Sequence, residues 1–497
     1  MVRRTHEAVP NVELYNLRDA RGESQEQTAK ALNALALKKK EPTGITGNQI
    51  SRWERGISRP SPFHRQLLAE HFGVSVAELG LARPRGRTPA APVPAAAGSL
   101  ALSLDPAESM ADSRAVETQQ EWLRIRQALG SRHVQLAKTV AQLYPDEARV
   151  GSTGLIAGSG WLFSQPVPLA DLTIDMAHET PAPAVSGTEP DSRSSRPLID
   201  TDRRYGRYSH AIRDIAQPRL FENRPGWRLL GLDRTDHAAP RLTFGDTTYF
   251  DTIDVCEAVA HEATGAHLAP DGTVEAASWR GLAFRRLIGD PFDLMRRPVL
   301  PSTDTLTIRA STDGASFVLH NRHSGNVASS GGMLGVMPSG TFQPSTVRRR
   351  ADYIADFDLW RNIMREYSEE FLGNPEHGGD GQSVDYAAEP FRTLDAGLAS
   401  GKIRAYCLGV ALDALTLWAE ILTVVVLDAD IYDRLFADMV KVNAEGSVVQ
   451  IGTARPTPSI PFTEHVLDEL AAGGRLAPEA AGCLSLAWQH RRQILSA

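Results

Sequence analysis

A stretch rich in Pro, Ala, Gly and Ser divides the chain into two parts. It runs from residue 82 to residue 113 and reads "ARPRGRTPAAPVPAAAGSLALSLDPAESMADS". Segments of this composition bury little apolar surface and act as flexible or extended linkers. The chain has 497 residues, more than one hydrophobic core usually serves. We therefore expect a multidomain protein, with a small domain before the linker and a larger body after it.

The two parts also differ in charge. Residues 1–90 hold 15 Lys and Arg against 9 Asp and Glu, whereas the remainder holds 38 against 51. A basic segment suits a polyanionic partner, so nucleic acid is expected at the N-terminal part only. Only seven of the 53 basic residues are Lys, an Arg bias that is common in bacteria with G+C-rich genomes.

Cysteine usage and hydropathy indicate a cytoplasmic protein. Cys256, Cys407 and Cys483 lie far apart and form neither a disulfide framework nor a zinc spacing, which suits a reducing compartment. The N-terminus lacks the apolar core of a signal peptide. The longest apolar stretch, "LTLWAEILTVVVL", has 13 residues, too few to span a bilayer. We expect no membrane partner.

Local patterns divide the chain further into five segments. Residues 1–81 are all-helical, residues 82–113 are the flexible linker, and residues 114–148 form a helical segment. Residues 149–303 show mixed α+β patterns without an evident role, and residues 304–497 show strands followed by helices, which predicts an α+β domain.

The helical segment at 114–148 has a seven-residue repeat. Trp122, Leu129, Leu136 and Leu143 recur at that interval, which fits either a dimerising coiled coil or a helix packed on its own domain. The second interpretation is favoured because polar positions interrupt the seam.

One pair in the mixed region could hold a metal. Glu257 and His261 are four residues apart and so share a helix face. No second cluster completes a site, so an ordinary half-buried helix is the favoured interpretation.

The N-terminal segment contains short helices with clear boundary signals. Ser24 and Ser61 are placed as N-caps, and Gly56 and Gly73 follow the ends of two helical patterns. The runs "SQEQTAKAL", "ITGNQISRWERGISRPSP" and "LAEHFGVSVAELG" together resemble the helix-turn-helix of lambda-repressor-like (Xre-type) regulators.

That resemblance implies a double-stranded DNA operator and residues that contact it. The second helix of the motif would enter the major groove and read bases with its first turns. The base-reading positions would be Thr46, Gly47, Asn48, Gln49 and Arg52.

Phosphate contacts are expected beside the base-reading helix. Ser24 and Gln25 begin the preceding helix, where backbone N–H groups favour an anion. The turn of the motif is longer than in the family and contains Lys38, Lys39 and Lys40, which would either contact phosphate or be solvated. Xre-type domains usually bind as dimers, so a homodimer is expected.

A second resemblance lies near residue 340. The runs "MPSGTFQPST" and "REYSEEFLG" resemble the box of a Nudix domain, an α/β/α sandwich that binds Mg²⁺ or Mn²⁺ and cleaves nucleoside diphosphate derivatives. The matching positions are Gly340, Arg365, Glu366, Glu369 and Glu370. On a regular helix the three glutamates would share an arc of about 100°, which suits a hard cation.

The box is degenerate, because Thr346 stands where the family has a glutamate. We therefore expect a transcriptional regulator whose Nudix-like domain senses a nucleotide or another phosphorylated metabolite without turnover. One alternative is an active metal-dependent Nudix hydrolase tethered to a DNA-binding domain. Another is a regulator whose body binds a protein partner.

Overall fold

The computed structural model describes residues 11–79 and 106–496, apart from gaps at 12, 15–16, 19–20, 22, 40–42, 55–59, 75–78, 219–220, 234–238, 323–332, 347–349, 378–381, 438, 440–445 and 450–458. Contacts divide the chain into two compact units, Met1–Ser103 and Leu104–Ala497. We call the first unit the head and the second the body, and each is described by itself.

The described part of the head contains three helices. They are α1 Gln25–Lys38, α2 Gly47–Glu54 and α3 Pro62–Phe72. Apolar side chains from all three converge on one core, because each helix places its apolar residues on a single face. The buried core comprises Leu14, Ala29, Leu32, Ala36, Ile45, Ile50, Trp53, Leu67, Leu68, Phe72 and Leu79.

The predicted boundary signals of the head are confirmed where the structure describes them. The Ser24 hydroxyl accepts the Gln27 N–H at 3.2 Å, and the Ser61 hydroxyl accepts the His64 N–H at 3.2 Å. Gly73 has a φ of 70°, the left-handed conformation that ends many helices. Gly56 lies outside the described residues.

Two helices of the body precede its first strand in the chain, and the others lie between and after the strands. They are α4 Pro106–Ser131, α5 His133–Ala141, α6 Tyr208–Ala211, α7 Tyr249–His267, α8 Ala283–Ile288, α9 Arg350–Ala355, α10 Leu359–Glu366, α11 Phe391–Ala399, α12 Ala429–Leu435, α13 Glu464–Ala472, α14 Pro478–Gln489 and α15 Arg491–Leu495.

The predicted end of the linker at residue 113 is wrong. Helix α4 already begins at Pro106. Proline is compatible with the first turn of a helix, where its missing N–H would have no intrahelical acceptor. A compositional count treats this proline and the neighbouring alanines as linker residues, although both suit a helix start.

The coiled-coil interpretation of the seven-residue repeat is also wrong. Trp122, Leu129 and Leu136 are at most 2 % exposed within the body itself. Leu129 and Leu136 share a buried cluster with Ala260 and Ala263 of α7. Because these apolar side chains are packed inside the body, they are not available to pair with a second copy of the chain.

The body has fourteen short to medium strands among its described residues. They are β1 Leu155–Ile156, β2 Leu162–Pro168, β3 Thr173–Met176, β4 Pro225–Asp233, β5 Arg241–Thr248, β6 Ser302–Ser311, β7 Gly314–Phe317, β8 Leu319–Arg322, β9 Leu334–Gly335, β10 Ser339–Thr341, β11 Ile403–Asp413, β12 Ala419–Asp428, β13 Gly446–Val449 and β14 Ile460–Pro461.

Eight of these strands form the main sheet. Its order is β1-β11-β12-β6-β7-β14, with β10 on β6 and β2 on β11. The central pair β12 and β6 is parallel, whereas β11 and β12 are antiparallel. The remaining six strands form two three-stranded sheets, β13-β8-β9 and β3-β5-β4.

The predicted boundary between residues 303 and 304 is not a division of the body. It falls inside β6, and β1 and β2 from the preceding segment pair with β11. A strand that completes a sheet from a distant part of the chain leaves no local signal, so the two segments look separate in the sequence.

Helices cover both faces of the main sheet. Val425 and Leu427 of β12 join a cluster with residues of α10, α11 and α12, whereas the alternate residues Val424 and Val426 join the larger cluster that includes α14. Successive side chains of a strand point to opposite faces. This helix–sheet–helix layering occurs in many unrelated proteins and does not identify a Nudix fold.

Candidate functional site

The start of α2 is held by a reciprocal cap. The Thr46 hydroxyl accepts the Gln49 N–H at 3.3 Å, and the Gln49 side-chain oxygen accepts the Thr46 N–H at 3.1 Å. This is a capping box, which satisfies two N–H groups that a helix start leaves without partners. The first turn of α2 therefore has a defined conformation before any ligand binds.

Asn33 of α1 holds the chain that leads into α2. Its amide nitrogen donates to the Ile45 carbonyl at 2.8 Å, and its amide oxygen accepts the Ile45 N–H at 2.9 Å and the Thr43 hydroxyl at 2.8 Å. Asn33 thus holds the end of the turn against the preceding helix, although this turn is longer than in the Xre-type regulators that the motif resembles.

The predicted base-reading residues differ in their exposure to solvent. Thr46 is exposed and Gln49 is half-buried, so both can meet a ligand. Gly47 is buried, and its role as a base reader stays a prediction. The side chains of Asn48 and Arg52 lie outside the described part of the chain, although both residues belong to α2.

A buried ion pair joins the end of α2 to the rest of the head. Glu54 is 6 % exposed, and its carboxylate accepts Arg18 Nε at 2.5 Å. The Gln25 amide nitrogen donates to the same carboxylate at 2.7 Å. Sequence patterns missed this network because 36 residues separate Arg18 from Glu54.

The residues predicted to contact phosphate differ in whether their side chains already pair with other residues of the head. The Gln25 side-chain amide donates one N–H to Glu54, which holds that side chain toward the carboxylate. Lys38 is exposed, and the Lys39 ammonium pairs with Glu70 at 2.8 Å. Lys40 lies outside the described residues.

Ser24 keeps a geometry that suits an anion. Its hydroxyl accepts the Gln27 N–H, and the Gln27 side-chain oxygen accepts the Ser24 N–H at 2.7 Å. The hydroxyl can still donate its own hydrogen, and the start of α1 carries the partial positive charge of a helix N-terminus.

In the body, the structure brings Gly340 and Glu366 together. A Cβ atom placed on Gly340 would collide with the Glu366 carboxylate. Gly340 lies in β10 and Glu366 ends α10, and these elements pack on each other. The glycine and the helix of the suspected box are therefore neighbours.

The other residues of the suspected box have structural partners. Arg365 is 4 % exposed and donates to Tyr386 at 2.7 Å and to the Gln343 carbonyl at 2.7 Å. Its guanidinium also lies 3.5 Å from the Asp356 carboxylate. Glu369 accepts the backbone N–H of His377 at 2.8 Å.

The three glutamates do not lie on one regular α-helix. The α-helix ends at Glu366, and residues Tyr367–Phe371 form a π-turn with wider i→i+5 bonding. The π-turn changes the angle between Glu366 and the next two glutamates, and Glu370 is buried. Among the described residues, no three His, Cys, Asp or Glu side chains are placed to hold a metal.

Glu257 and His261 are structural residues, as the favoured interpretation held. Glu257 accepts Arg126 at 3.0 Å, and His261 Nδ1 bonds the Tyr208 hydroxyl at 3.0 Å. Burial, and then the charge of Arg126, lower the pKa of His261 to about 3. Both side chains are occupied inside the core and are not arranged as metal ligands.

Comparisons with known proteins agree with the geometry of the head. A family model described as "Helix-turn-helix" matches residues 14–79. A search of curated proteins found no match to the chain. In the portion that the structure covers, no helix is both long and apolar enough to cross a membrane. Residues 14–79 form a helix-turn-helix domain, which supports a DNA-binding transcriptional regulator.

Proposed function

We propose that the chain reads a specific operator with the first turns of α2. The observation that carries this is the preformed, exposed start of α2 at Thr46 and Gln49, within a domain that matches the helix-turn-helix family. Asn48 and Arg52 complete the reading set. Asn suits adenine and Arg suits guanine, because each forms two hydrogen bonds with the major-groove edge of that base.

Arg52→Ala is expected to weaken operator binding by about 1–3 kcal/mol and to relax specificity at one base pair. Binding is measured with duplexes that the unchanged protein selects from a random DNA library. Arg203→Ala in the body removes the same charge from an exposed pair with Asp200 and serves as the control. Equal losses in the two variants would show that Arg52 contributes only charge.

The second part of the proposal concerns phosphate. Ser24 begins α1, and Lys38, Lys39 and Lys40 precede the reading helix in the sequence. Each lysine that neutralises a phosphate releases counterions. The pairing of Lys39 with Glu70 distinguishes it from Lys38, which lies one residue earlier and is exposed.

Lys38→Ala is expected to flatten the slope of log K against log salt by about one, as for a lost phosphate contact. Glu70→Ala is expected to strengthen DNA binding, because it frees the Lys39 ammonium. Both are measured by titrating one duplex at several salt concentrations. An unchanged slope in Lys38→Ala would exclude its phosphate role.

We further propose that the protein acts as a homodimer on paired half-sites. Two-fold symmetric operators place half-sites about one helical turn of DNA apart or a multiple of it. Sedimentation of the chain with a selected duplex tests this directly. One chain for each duplex at saturation would contradict the dimer.

A second candidate function is ligand sensing by the body. The place proposed for a nucleotide-like ligand is the suspected box, where Gly340 lies against Glu366. A nucleotide at 100 times its dissociation constant is expected to stabilise the body by about 2.7 kcal/mol.

A thermal-shift screen with nucleoside diphosphate sugars, ADP-ribose and mononucleotides tests this candidate. Each compound is added with and without Mg²⁺, and Glu366→Gln is the comparison variant. A shift that Glu366→Gln loses supports the site. A Mg²⁺-dependent shift with release of a nucleoside monophosphate would instead favour the hydrolase, and the absence of any shift would favour a protein partner.

A further inference from the structure

Three arginines of the body lie close together near its surface. They are Arg114 of α4, Arg193 and Arg204, and we call them the arginine patch. Arg114 and Arg193 are exposed, and Arg204 is half-buried. Within the part of the chain that the structure describes, no carboxylate lies within ion-pair distance of any of the three. Their positive charges are therefore not neutralised by a neighbouring side chain.

The packing of α4 against a loop of the body brings two of these side chains together. The Thr118 hydroxyl accepts the Leu198 N–H at 3.0 Å, and the Gln119 amide nitrogen donates to the Leu198 carbonyl at 2.8 Å. Leu198 in turn forms an antiparallel bridge with Arg204. Arg114 lies about one helical turn before Thr118 and so shares its face of α4. The bonds at Leu198 thus hold Arg204 beside the face that carries Arg114.

Arg193 joins the patch from a 3₁₀ turn that ends at Ser195. The Ser195 carbonyl accepts the indole N–H of Trp122 in α4 at 3.0 Å, which fixes this turn against the same helix. Burial, and then the charges of Arg193 and Arg114, lower the pKa of Arg204. Like charges at such short range repel one another, so an anion among them relieves the repulsion.

The members of the patch differ in their freedom to contact a ligand. Arg204 Nη1 donates to the Arg196 carbonyl, which makes Arg204 a fixed charge. Arg114 and Arg193 are exposed, so their guanidiniums remain available for direct contacts. A guanidinium is a planar donor that suits the oxygens of a phosphate group.

The charge of the rest of the chain favours a polyanion at this place. After residue 90 the chain holds 38 Lys and Arg against 51 Asp and Glu, so most of the body repels a polyanion. The arginine patch is an exception within this acidic surrounding. A phosphate backbone that approaches the body is therefore attracted to the patch and repelled elsewhere.

The covalent link to the head supplies such a backbone. The sequence places 26 residues between Leu79 of the head and Pro106, where α4 begins. A chain of this length spans at most about 90 Å, so DNA on the head stays within reach of the patch. Tethering raises the local concentration of a second binding site, so even a weak contact contributes to overall affinity.

We propose that the arginine patch binds phosphates of the DNA backbone beside the operator, through Arg114 and Arg193 with the charge of Arg204 in support. This deepens the operator-binding proposal and rests on it, since the head must first hold the DNA. Backbone contacts carry no sequence information. The patch therefore adds affinity and salt dependence without adding specificity.

The test compares two duplexes with the full chain at several salt concentrations. The short duplex holds only the selected operator, and the long duplex adds about two helical turns of DNA on each side. The slope of log K against log salt is expected to be steeper on the long duplex by about two for each bound chain, one for each direct phosphate contact.

Arg114→Ala/Arg193→Ala is expected to remove this difference between the duplexes. It should weaken binding to the long duplex by about tenfold and leave binding to the short duplex unchanged. Arg114→Lys/Arg193→Lys should keep most of the slope, because it keeps both charges. Thermal unfolding of each variant confirms that the body remains folded.

Arg203→Ala/Arg213→Ala is the matched control. It removes the same two charges from exposed arginines of the body, but these already pair with Asp200 at 3.0 Å and Asp214 at 2.7 Å. We expect this control to bind both duplexes like the unchanged protein.

Three results would overturn the proposal. They are an unaltered slope on the long duplex in Arg114→Ala/Arg193→Ala, an equal loss on both duplexes, and an equal loss in the control. An acidic protein partner at the patch would give the first of these. Failure of the operator proposal is distinguishable, because it removes sequence-dependent binding to the short duplex, which the patch does not affect.

Discussion

Replacing Asp413 by Ala is expected to lower the free energy of unfolding of the body by about 3–5 kcal/mol, the range measured when one partner of a buried ion pair is removed. Asp413 ends β11, and its carboxylate lies 2.6 Å from His133 Nε2 of α5. Both side chains are at most 5 % exposed. The pair therefore joins the helical segment to the main sheet in a place that water does not reach.

The same carboxylate also holds a turn. Its other oxygen accepts the N–H groups of Leu415 at 2.7 Å and Thr416 at 3.1 Å, in the connection between β11 and β12. Removal of the carboxylate leaves these donors and His133 without an acceptor. Buried polar groups in that condition each carry a desolvation penalty of about 1–3 kcal/mol.

Urea unfolding of the full chain measures the effect, with amide hydrogen exchange assigning it to the body. Asp430→Ala, which breaks the exposed pair with Lys402, is the control and should change stability little. A double-mutant cycle of His133→Ala and Asp413→Asn isolates the pair itself. An interaction energy of zero in this cycle would contradict the role given to the pair.

The His133–Asp413 pair also makes stability depend on pH. For His133, burial lowers the pKa, but the charge and hydrogen bond of Asp413 outweigh it and the pKa is raised. For Asp413, burial raises the pKa, but His133 and the backbone N–H groups outweigh it and the pKa is lowered.

The direction of each pKa shift determines the pH range in which that residue stabilises the fold. The Asp413 contribution is present above its unfolded pKa of about 3.9 and is lost as the pH falls. The His133 contribution is complete below its unfolded pKa of about 6.5 and is lost as the pH rises through the folded value. The stability difference between the unchanged protein and Asp413→Asn should therefore be largest between about pH 4 and pH 6.5.

Glu54→Ala is expected to destabilise the head by about 3–5 kcal/mol and to abolish operator binding. Arg18 is 9 % exposed, so the substitution leaves a nearly buried guanidinium without its carboxylate and Gln25 without its acceptor. Because small domains have total stabilities of about 5–15 kcal/mol, a loss of this size unfolds much of the head population.

Hydrogen exchange in the full chain detects this loss through faster exchange in α1 and α2. Glu70→Ala is the matched control, because its pair with Lys39 is exposed on both sides and should contribute at most about 1 kcal/mol. Unchanged protection of α2 in Glu54→Ala, together with normal DNA binding, would show that the Arg18–Glu54 pair is dispensable.

These two buried pairs explain what sequence analysis missed. Their partners are 280 and 36 residues apart, and no periodicity or spacing connects positions so distant. The same reason accounts for the wrong boundary at residue 303, since β1 and β2 reach the main sheet only through pairing with β11. It also accounts for the repeat in α4 and α5, whose apolar stripe fits a coiled coil and a domain core equally well.

Residues close together in the chain, by contrast, were sufficient to predict local structure. Ser24, Ser61 and Gly73 mark helix boundaries because their side chains or backbone conformation satisfy the ends of a helix directly. The continuous apolar run in β12 indicates a strand covered on both faces, which the structure has. The helix-turn-helix was recognisable for the same reason, since its signals lie within about seventy residues.

The sequence by itself thus determined the helices of the head, the apolar strand β12 and the helix-turn-helix class of the N-terminal domain, because each depends on residues close together in the chain. Only the tertiary structure decided that Gly47 is buried, that Gln25 is bound to Glu54, and that a π-turn separates the glutamates of the suspected box. The physical reason is that burial and pairing depend on which distant segments pack together, and local patterns do not record that.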